Sequence, residues 1–479
     1  MKKIHNIFFV IALTTLLIGC EDYLNVKPRG YDVSSKCEHY RGLLYGESVS
    51  YMPSFPFMCI EYDTNEDGFK NLYYTNSGSV NANAFLWKKD IYREDEDCSE
   101  WNETSRRLYS LNVIINEVLD AEDGSEEERL TIQAEARMMR AWYTFMMAQW
   151  FGAPYDESTA ATAPCVPIIT SAQTMDTHFT RSTNEQVYAF IISEMEAAIP
   201  NLSNQQEHFM RVFLPTGYAM LGKVYWTMNQ YDKALGPLKM AKQLLDQDGG
   251  RKLFDYNTMV DANGSFNYPN YSLNNTEFVY YVETMYNLWI VLYPQYYNKI
   301  MLWIKPNLLK EVFPNTKDNR LYYVSNLATK EPVYGQTITV NGIYHTNITR
   351  MISNIGLNLA DIYLMLGETY ARTGDLDSAR SVVEALRRCR VPYEDAPIPT
   401  TVTKQQDMIR YIVQERLREY IGYGLTWFDT RRLWNDPLFQ DLKQYYTHTD
   451  GVDTYTLTEE RLTLSIPPSI MVWNPHFAE

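Results

Sequence analysis

The stretch "DIYLMLGETYARTGDLDSARSVVEALRR", residues 361–388, decides the fold. Two small residues, Gly367 and Ala379, lie on either side of a turn signal at Thr373-Gly374, and tyrosines flank the glycine. Small side chains let two antiparallel helices approach closely, while aromatic rings fill the gaps around the contact. The stretch therefore predicts a pair of helices joined by a short turn.

A second stretch, "GYAMLGKVYWTMNQYDKALGPLKMAKQLL" at residues 217–245, repeats this pattern, with a turn signal at Asn229-Gln230. When Leu221-Gly222 is aligned with Leu366-Gly367, the remaining signature positions coincide: Tyr218 with Tyr363, Tyr225 with Tyr370, and Ala234 with Ala379. These are the offsets of a tetratricopeptide repeat. Gly222 and Gly367 are 145 residues apart, whereas tandem repeats stack directly. We therefore expect the helix pairs to meet across long insertions.

Two further segments show helical patterns, at residues 131–154 and from Met408 to Trp434. In the second, apolar residues recur at steps of three and four, and charged residues occupy the other face, as in an amphipathic helix. The sequence thus predicts an all-α fold. About four tetratricopeptide-like helix pairs form its scaffold, which carries loop-rich insertions and few short strands.

The N-terminal stretch "FFVIALTTLLIGCEDYL", residues 8–24, predicts export and lipid attachment. Its apolar run, from Ile7 to Ile18, is shorter than the roughly 20 residues of a membrane-spanning helix, and with its basic start it matches a secretory signal. Leu-Ile-Gly before Cys20 resembles a bacterial lipobox. We expect residues 1–19 to be a removed signal peptide and Cys20 to carry the lipid that anchors the chain to a membrane. The alternative is an unmodified cysteine.

Composition and motif searches narrow the function. The 479 residues carry a formal net charge of −16, which disfavours binding to nucleic acid. Neither an H-E-x-x-H motif, nor a G-x-S-x-G motif, nor a glycine-rich phosphate loop is present, and no cysteine pair has C-x-x-C spacing. We therefore expect no cofactor and no metal.

Two acidic motifs contain the residue types found in metal-binding or catalytic sites. "DTNEDG" at residues 63–68 matches the first half of an EF-hand loop, but Tyr74 occupies the place of the bidentate glutamate, so a hydrated turn is favoured over a weak calcium site. Glu415 and Glu419 lie one helical turn apart, as glycosidase carboxylates might. The neighbouring arginines favour a solvated, salt-bridged face instead.

Several motifs together resemble the SusD/RagB family of outer-membrane lipoproteins. The start "CEDYLNVKP", the close "LSIPPSIMVWNPHF" and four internal stretches carry the resemblance: "WNETSRRLYSLNVIINEV", "AEARMMRAWYTFMMAQWFGAP", "LADIYLMLGETYARTGDLDSA" and "ERLREYIGYGLTWFDTRRLW". Gly422-Tyr423-Gly424-Leu425 departs from the family's Glu-Gly-x-Arg, and Ile470-Met471 lacks its acidic residue. The resemblance is thin from about residue 284 to 350.

The resemblance implies a binding protein rather than an enzyme. It implies one SusD-like domain over residues 20–479 with a variable ligand-facing insertion at about 284–350. Such proteins hold oligosaccharides or polysaccharides, or peptides in some branches, at the mouth of a SusC-like TonB-dependent transporter in the outer membrane. The alternatives are a peptide or glycoprotein binder of the same family, a surface all-α glycoside hydrolase, and a structural accessory to a transporter.

Aromatic side chains are the expected ligand contacts, because flat rings stack on sugar faces. The stretch "FVYYVETMYNLWIVLYPQYYNKIMLW", residues 278–303, is the richest, and its candidate ligand residues are Tyr286, Trp289, Tyr293, Tyr296, Tyr297 and Trp303. Tyr73, Tyr74 and Trp87 bracket a second candidate, an Asn/Ser/Gly loop. For each ring the alternative is packing against the scaffold, and Trp87 could equally be a core anchor.

Overall fold

A computed structural model describes residues 35–45, 54–74, 78–94, 96, 98–172, 179–261, 276–280, 302–324 and 354–478, which we call the described residues. Their α-helices, in chain order, are α1 (Cys37–Tyr45), α2 (Glu66–Tyr73), α3 (Gly78–Phe85), α4 (Ser99–Glu117), α5 (Glu126–Phe151), α6 (Asn184–Ala198), α7 (Leu214–Thr227), α8 (Tyr231–Asp248), α9 (Pro306–Val312), α10 (Leu321–Val324), α11 (Leu359–Arg372), α12 (Leu376–Arg388), α13 (Gln405–Tyr420), α14 (Thr426–Leu433) and α15 (Pro468–Trp473). The strands are β1 (Tyr62–Asp63), β2 (Phe278–Tyr280), β3 (Trp303–Ile304), β4 (Leu357–Asn358), β5 (Thr447–Thr449) and β6 (Thr454–Thr456). The predicted all-α class with few short strands is confirmed.

The two repeats form the predicted helix pairs, α7 with α8 and α11 with α12. A Cβ atom on Gly222 would lie 2.7 Å from the side chain of Leu238, and one on Gly367 would lie 2.5 Å from Val383, at the same offset in the repeat. The turns also correspond, because Asn229 (φ 58°) and Gly374 (φ 92°) both adopt the left-handed backbone conformation. The internal similarity therefore reflects one local structure used twice.

Helix pairs that are separated by long stretches of sequence pack side by side. Helix α4 packs against α5, α5 against α6, α6 against α7, and α8 against α11, which also contacts α13. The two repeats are thus direct neighbours although Gly222 and Gly367 are 145 residues apart in sequence. Most of the buried apolar side chains form one continuous cluster that extends from Cys37 to Phe477.

The helices at residues 131–154 and 408–434 differ in how well they match their predictions. Helix α5 begins after its N-cap Ser125, whose side chain accepts from the backbone N–H of Glu128, and it ends before Gly152. The second segment is two helices, α13 and α14, rather than one. Gly422 (φ 81°) and Gly424 (φ 76°) interrupt it in the left-handed conformation, which ends a right-handed helix.

A buried layer of ion pairs joins α13 to the rest of the molecule. Glu415 accepts from Arg320 at 2.6 Å, and from Arg387 and Arg418 at 2.7 Å each. Both Glu415 and Glu419 are buried, so the prediction of a solvated face is wrong, although the predicted salt bridges form. The reason is that Arg320 and Arg387 reach α13 from other segments and cover it.

Short antiparallel ladders hold the two ends of the aromatic-rich stretch, residues 278–303. Strand β2 pairs with β4, β1 with β3, and β5 with β6, all antiparallel. In addition, Glu277, just before β2, accepts from Arg390 at 2.8 Å. The strands on either side of the aromatic-rich stretch are therefore held against the helical scaffold.

Candidate functional site

The predicted ligand residues fall into three groups in the structure. Tyr286, Trp289, Tyr293, Tyr296 and Tyr297 lie outside the described residues, as do the lipidation site Cys20 and most of the 284–350 insertion. Tyr73 and Tyr74 are at the surface, whereas Trp87 and Trp303 are buried. The described part of the candidate site is therefore the surface around Tyr73 and Tyr74.

Tyr73 and Tyr74 form an exposed aromatic pair at the C-terminal end of α2. Their side chains are 43% and 81% exposed, and the ring centroids are 5.5 Å apart with the rings nearly perpendicular, at 88°. An edge-to-face contact of this kind holds two rings relative to each other while leaving ring faces open to solvent. A flat apolar ring with a hydroxyl at its tip can stack on a sugar and hydrogen-bond to it.

Helix α2 is fixed at its N-terminal end. The Asn65 side chain caps the helix by accepting from the backbone N–H of Gly68 at 2.8 Å, while Leu72 is fully buried on the inner face. The turn between β5 and β6 packs against the same end, where a Cβ on Gly451 would collide with the Glu66 backbone. The exposed tyrosines thus stand on a helix anchored at its other end.

These contacts also bear on residues 63–68, for which the sequence favours a hydrated turn over a weak calcium site. The side-chain oxygen of Asn65 is engaged in the helix cap, and Asp63 lies in β1, where its carboxylate accepts from the backbone N–H of Thr64. Among the described residues, no group of three or more histidine, cysteine or acidic side chains is arranged to hold a metal ion. Residues 63–68 form a strand end and a helix cap.

Trp87 is a core residue, which corrects its assignment as a ligand contact. It is 2% exposed, and its indole N–H donates to the Met58 carbonyl at 2.9 Å. Its ring stacks on His448 with centroids 3.8 Å apart, and Phe85 stacks on the opposite side of that imidazole at 4.2 Å. The backbone of Trp87 has φ 50°, which is unusual for a bulky residue. Packing, rather than ligand contact, accounts for this tryptophan.

Trp303 is likewise buried, with 8% of its surface exposed, so its assignment as a ligand contact is also corrected. It lies in β3, opposite Asp63 of β1. Both residues of this short strand, Trp303 and Ile304, are buried, so the ring is covered by the protein rather than presented to a ligand. Sequence alone could not reveal this, because the pairing partner is 240 residues away.

Lys305, which no sequence motif indicates, is hydrogen-bonded to the segment just before β1, the strand that leads into α2. Its ammonium donates to the carbonyls of Ile60 at 2.7 Å, Tyr445 at 2.8 Å and Thr447 at 2.7 Å. Burial lowers the pKa of Lys305 to about 8, although the charges of Asp63 and Glu61 oppose the shift. One side chain thus ties together the segments that carry β1, β3 and β5.

No helix of the described residues combines the length and the apolar character needed to cross a bilayer. The anchoring prediction concerns residues 1–20, which lie outside the described residues.

Two protein-family models match the sequence. One, described as "Starch-binding associating with outer membrane", matches residues 59–226, and the other, described as "SusD family", matches residues 239–472. Together they cover most of the chain. No curated protein matches it.

Solved structures share the fold at low sequence identity. A SusD superfamily protein from Bacteroides fragilis is 16% identical with a TM-score of 0.69, and the match covers 94% of this chain and 100% of that one. A SusD-like carbohydrate binding protein from Bacteroides vulgatus is 17% identical, with a TM-score of 0.64 and coverage of 92% and 97%. Surface glycan-binding protein A from Bacteroides uniformis is 16% identical, with a TM-score of 0.64 and coverage of 92% and 98%.

At these identities the structural neighbours establish the fold alone. The family models establish more, because one covers the segment that carries α2 to α7 and the other covers the segment that carries α11 to α14. The four internal motifs identified in the sequence fall within the same two segments. The chain belongs to the SusD/RagB family.

Proposed function

We propose that this protein is a surface lipoprotein that binds oligosaccharides or polysaccharides and delivers them to a SusC-like TonB-dependent transporter. The observation that carries the proposal is the match of two SusD-type family models over residues 59–226 and 239–472. One model describes starch-binding proteins associating with the outer membrane. The glycan-binding names of two structural neighbours point the same way.

In this proposal the ligand contacts the Tyr73–Tyr74 surface together with aromatic residues of the insertion at about 284–350. The topology supports that combination. The aromatic-rich stretch leads directly into β3, which pairs with β1, and α2 with its two tyrosines begins three residues after β1. The aromatic-rich stretch and helix α2 therefore both adjoin the β1–β3 ladder. Trp289, Tyr286, Tyr293 and Tyr296 remain the proposed contacts from the insertion.

The attachment to the membrane is part of the proposal. Residues 1–19 act as the export signal, lipid on Cys20 anchors the mature chain in the outer membrane, and residues 20–479 form one SusD-like domain outside the cell. Several acyl chains on one cysteine give a stable anchor, since each buried methylene contributes about 0.8 kcal/mol. Mass spectrometry of the mature N-terminus in native membranes tests this part directly.

Binding without catalysis is also proposed. The paired carboxylates that suggested a glycosidase, Glu415 and Glu419, are buried and held by arginines. A general acid must be protonated near neutral pH, but burial, which raises the pKa of Glu415, is outweighed by Arg320, Arg418 and Arg387, which bring it well below its usual range. Glu415 is therefore unsuited to act as a general acid.

The test uses the full-length protein, expressed with its own leader and purified in detergent, on an array of oligosaccharides and peptides. We expect retention of at least one glycan without release of reducing ends. The double variant Tyr73→Ala/Tyr74→Ala should bind roughly tenfold or more weakly, because two stacking contacts of about 1 kcal/mol each are lost.

The matched control is Tyr393→Ala, which removes a similarly exposed tyrosine elsewhere and should leave binding unchanged. Retention of peptides alone would replace the glycan proposal with the peptide-binding alternative. Release of reducing ends would show an enzyme.

A further inference from the structure

An open cleft lies at the end of the scaffold where the repeat turns meet, and we call it the turn cleft. Its volume is about 820 Å³, and it is bounded by residues 153–159, by the α7–α8 turn at 228–231, by the ends of α11 and α14, and by residues 459–463. Small-molecule sites commonly measure about 300–1,000 Å³. The turn cleft includes neither Tyr73 nor Tyr74, so it is separate from the surface described above.

Arg431 lines the turn cleft and is incompletely paired. It is 2% exposed, and its Nη2 donates to the Gly152 carbonyl at 2.8 Å, but its Nε and Nη1 have no hydrogen-bond partner among the described residues. By contrast, the adjacent Arg432 donates to both carboxylate oxygens of Glu368, at 2.9 and 3.0 Å. Both unpaired nitrogens are themselves buried, so Arg431 contributes a positive charge to the wall of the turn cleft rather than a hydrogen-bond donor to its interior.

The walls of the turn cleft carry aromatic rings. Tyr155 is half-buried, with one contact to the ring of Tyr188 at 4.9 Å between centroids. Tyr231 is also half-buried and donates through its hydroxyl to Asn229 Oδ1 at 2.8 Å, across the left-handed turn. Amphipathic rings of this kind combine an apolar face with a polar tip. The Arg372 guanidinium lies over one face of the Tyr231 ring, 4.9 Å from its centroid, so a sugar ring would stack on Tyr155 and on the other face of Tyr231.

The rim of the turn cleft supplies both donors and acceptors. Exposed carboxylates and amides surround its mouth: Glu157, Glu459, Glu460, Asn229, Asn435 and Gln406. The carboxylates accept from hydroxyl groups and repel an anionic ligand, the amides donate to oxygen, and the positive charges of the arginines in the wall repel a cation. A neutral ligand that carries many hydroxyl groups satisfies both sets.

We propose that the turn cleft is a second carbohydrate site, which takes a short neutral oligosaccharide. The inference rests on the proposed function for its class of ligand but on different residues. The sugar rings lie against Tyr155 and Tyr231, their hydroxyls donate to Glu460 and its neighbours, and ring oxygens accept from the Asn435 amide.

The experiment compares four full-length proteins on malto-, cello-, xylo- and manno-oligosaccharides, with oligogalacturonides as the acidic comparison. They are the unaltered protein, Tyr73→Ala/Tyr74→Ala, Asn435→Ala/Glu460→Ala, and the combination of all four changes. Asn435 and Glu460 are exposed, so we expect the melting temperature to stay within about 1 °C. Asn102→Ala/Glu122→Ala, which also removes one exposed amide and one exposed carboxylate, is the matched control.

We expect the Tyr73→Ala/Tyr74→Ala protein to retain weak binding of at least one neutral oligosaccharide. Adding Asn435→Ala/Glu460→Ala should reduce that residual binding about tenfold, as the loss of one or two hydrogen bonds predicts, while the control variant changes nothing. Binding that is abolished by the tyrosine changes and unaffected by the cleft changes would overturn the second site and leave the proposed function intact. Absence of all carbohydrate binding would overturn both, and stronger binding of the acidic sugars in the cleft would overturn its assignment to neutral ligands.

Discussion

Gly367 lies where two scaffold helices touch, and it offers a direct test of the repeat packing. A Cβ atom there would lie 2.5 Å from the side chain of Val383, closer than atoms in a packed core approach. We expect Gly367→Ala to destabilise the protein by about 1–3 kcal/mol, because overpacking outweighs the better helix propensity of alanine. Chemical unfolding monitored by circular dichroism measures the change.

Gly236 provides the matched control within the same kind of helix pair. It lies in α8, and no atom lies within 4 Å of the position that a Cβ would take. Alanine has the better helix propensity, but Pro237 follows and disfavours the helical conformation for a residue with a Cβ, so Gly236→Ala should change the unfolding free energy by no more than about 0.5 kcal/mol. Equal effects of the two substitutions would show that the helices do not approach each other as described.

Asp361 should make stability depend on pH in the acid range. Burial raises the pKa of its carboxyl, but Lys223 at 2.7 Å and Arg416 at 2.5 Å outweigh burial and lower it from 3.8 to about 2. The unfolded chain therefore takes up this proton first, so the contribution of Asp361 is complete above about pH 4 and is lost as the pH falls through about 2.

We expect the difference in unfolding free energy between the unaltered protein and Asp361→Asn to narrow by about 2 kcal/mol between pH 4 and pH 2, at 1.36 kcal/mol per pKa unit. Urea titrations at several pH values measure it. Asp246→Asn, which removes an exposed carboxylate, should show no such narrowing. A difference that is constant with pH would contradict the prediction.

At the scale of elements, Lys305 holds three segments with one ammonium group. Lys305→Met keeps most of the apolar stem but leaves the carbonyls of Ile60, Tyr445 and Thr447 without this donor. We expect a loss of about 2–5 kcal/mol in thermal or chemical unfolding, since buried carbonyls lose a charged partner. Lys310→Met on the exposed side of α9 is the control and should stay within about 0.5 kcal/mol. Equal stability of the two variants would assign no structural role to Lys305.

Local patterns explain how much of the scaffold could be predicted from the sequence. The spacing of Gly222 and Ala234, repeated at Gly367 and Ala379, lies within single helix pairs, so each pair could be predicted from its own stretch of sequence. The break between α13 and α14 was missed because the apolar period continues through it, while two glycines in the left-handed conformation end the helix.

The candidate site was less predictable because contacts between distant segments decide which of its side chains are exposed and which are buried. Tyr74 and Trp87 belong to one short stretch, yet the first is exposed and the second is stacked on His448 from the far end of the chain. Similarly, the charges around Glu415 indicated ion pairing, whereas its burial depends on Arg320 and Arg387 from other elements. No periodicity within a stretch encodes such partners.

At the scale of the whole molecule, the proposed role requires a partner in the same membrane. We expect the lipidated protein, purified from native outer membranes in mild detergent, to bring with it a TonB-dependent barrel identifiable by mass spectrometry. A Cys20→Ala protein, which lacks the acylated residue, should be lost from the membrane and from the complex. Recovery of the native protein free of any barrel would contradict delivery to a transporter.

The direct contact between α8 and α11 has a consequence for how such a protein changes over evolutionary time. The chain between Asp248 and Leu359 touches the scaffold at separate points: Glu277 pairs with Arg390, Arg320 pairs with Glu415, and the Leu359 backbone N–H donates to the Glu277 carbonyl at 2.8 Å. Because the neighbouring helices already bury each other, the intervening segment does not have to supply the contact between them. The gene segment that encodes only the stretch between β2 and β3 leaves Lys305 and Arg320 in place, so its exchange with that of a relative would change the ligand while keeping the architecture.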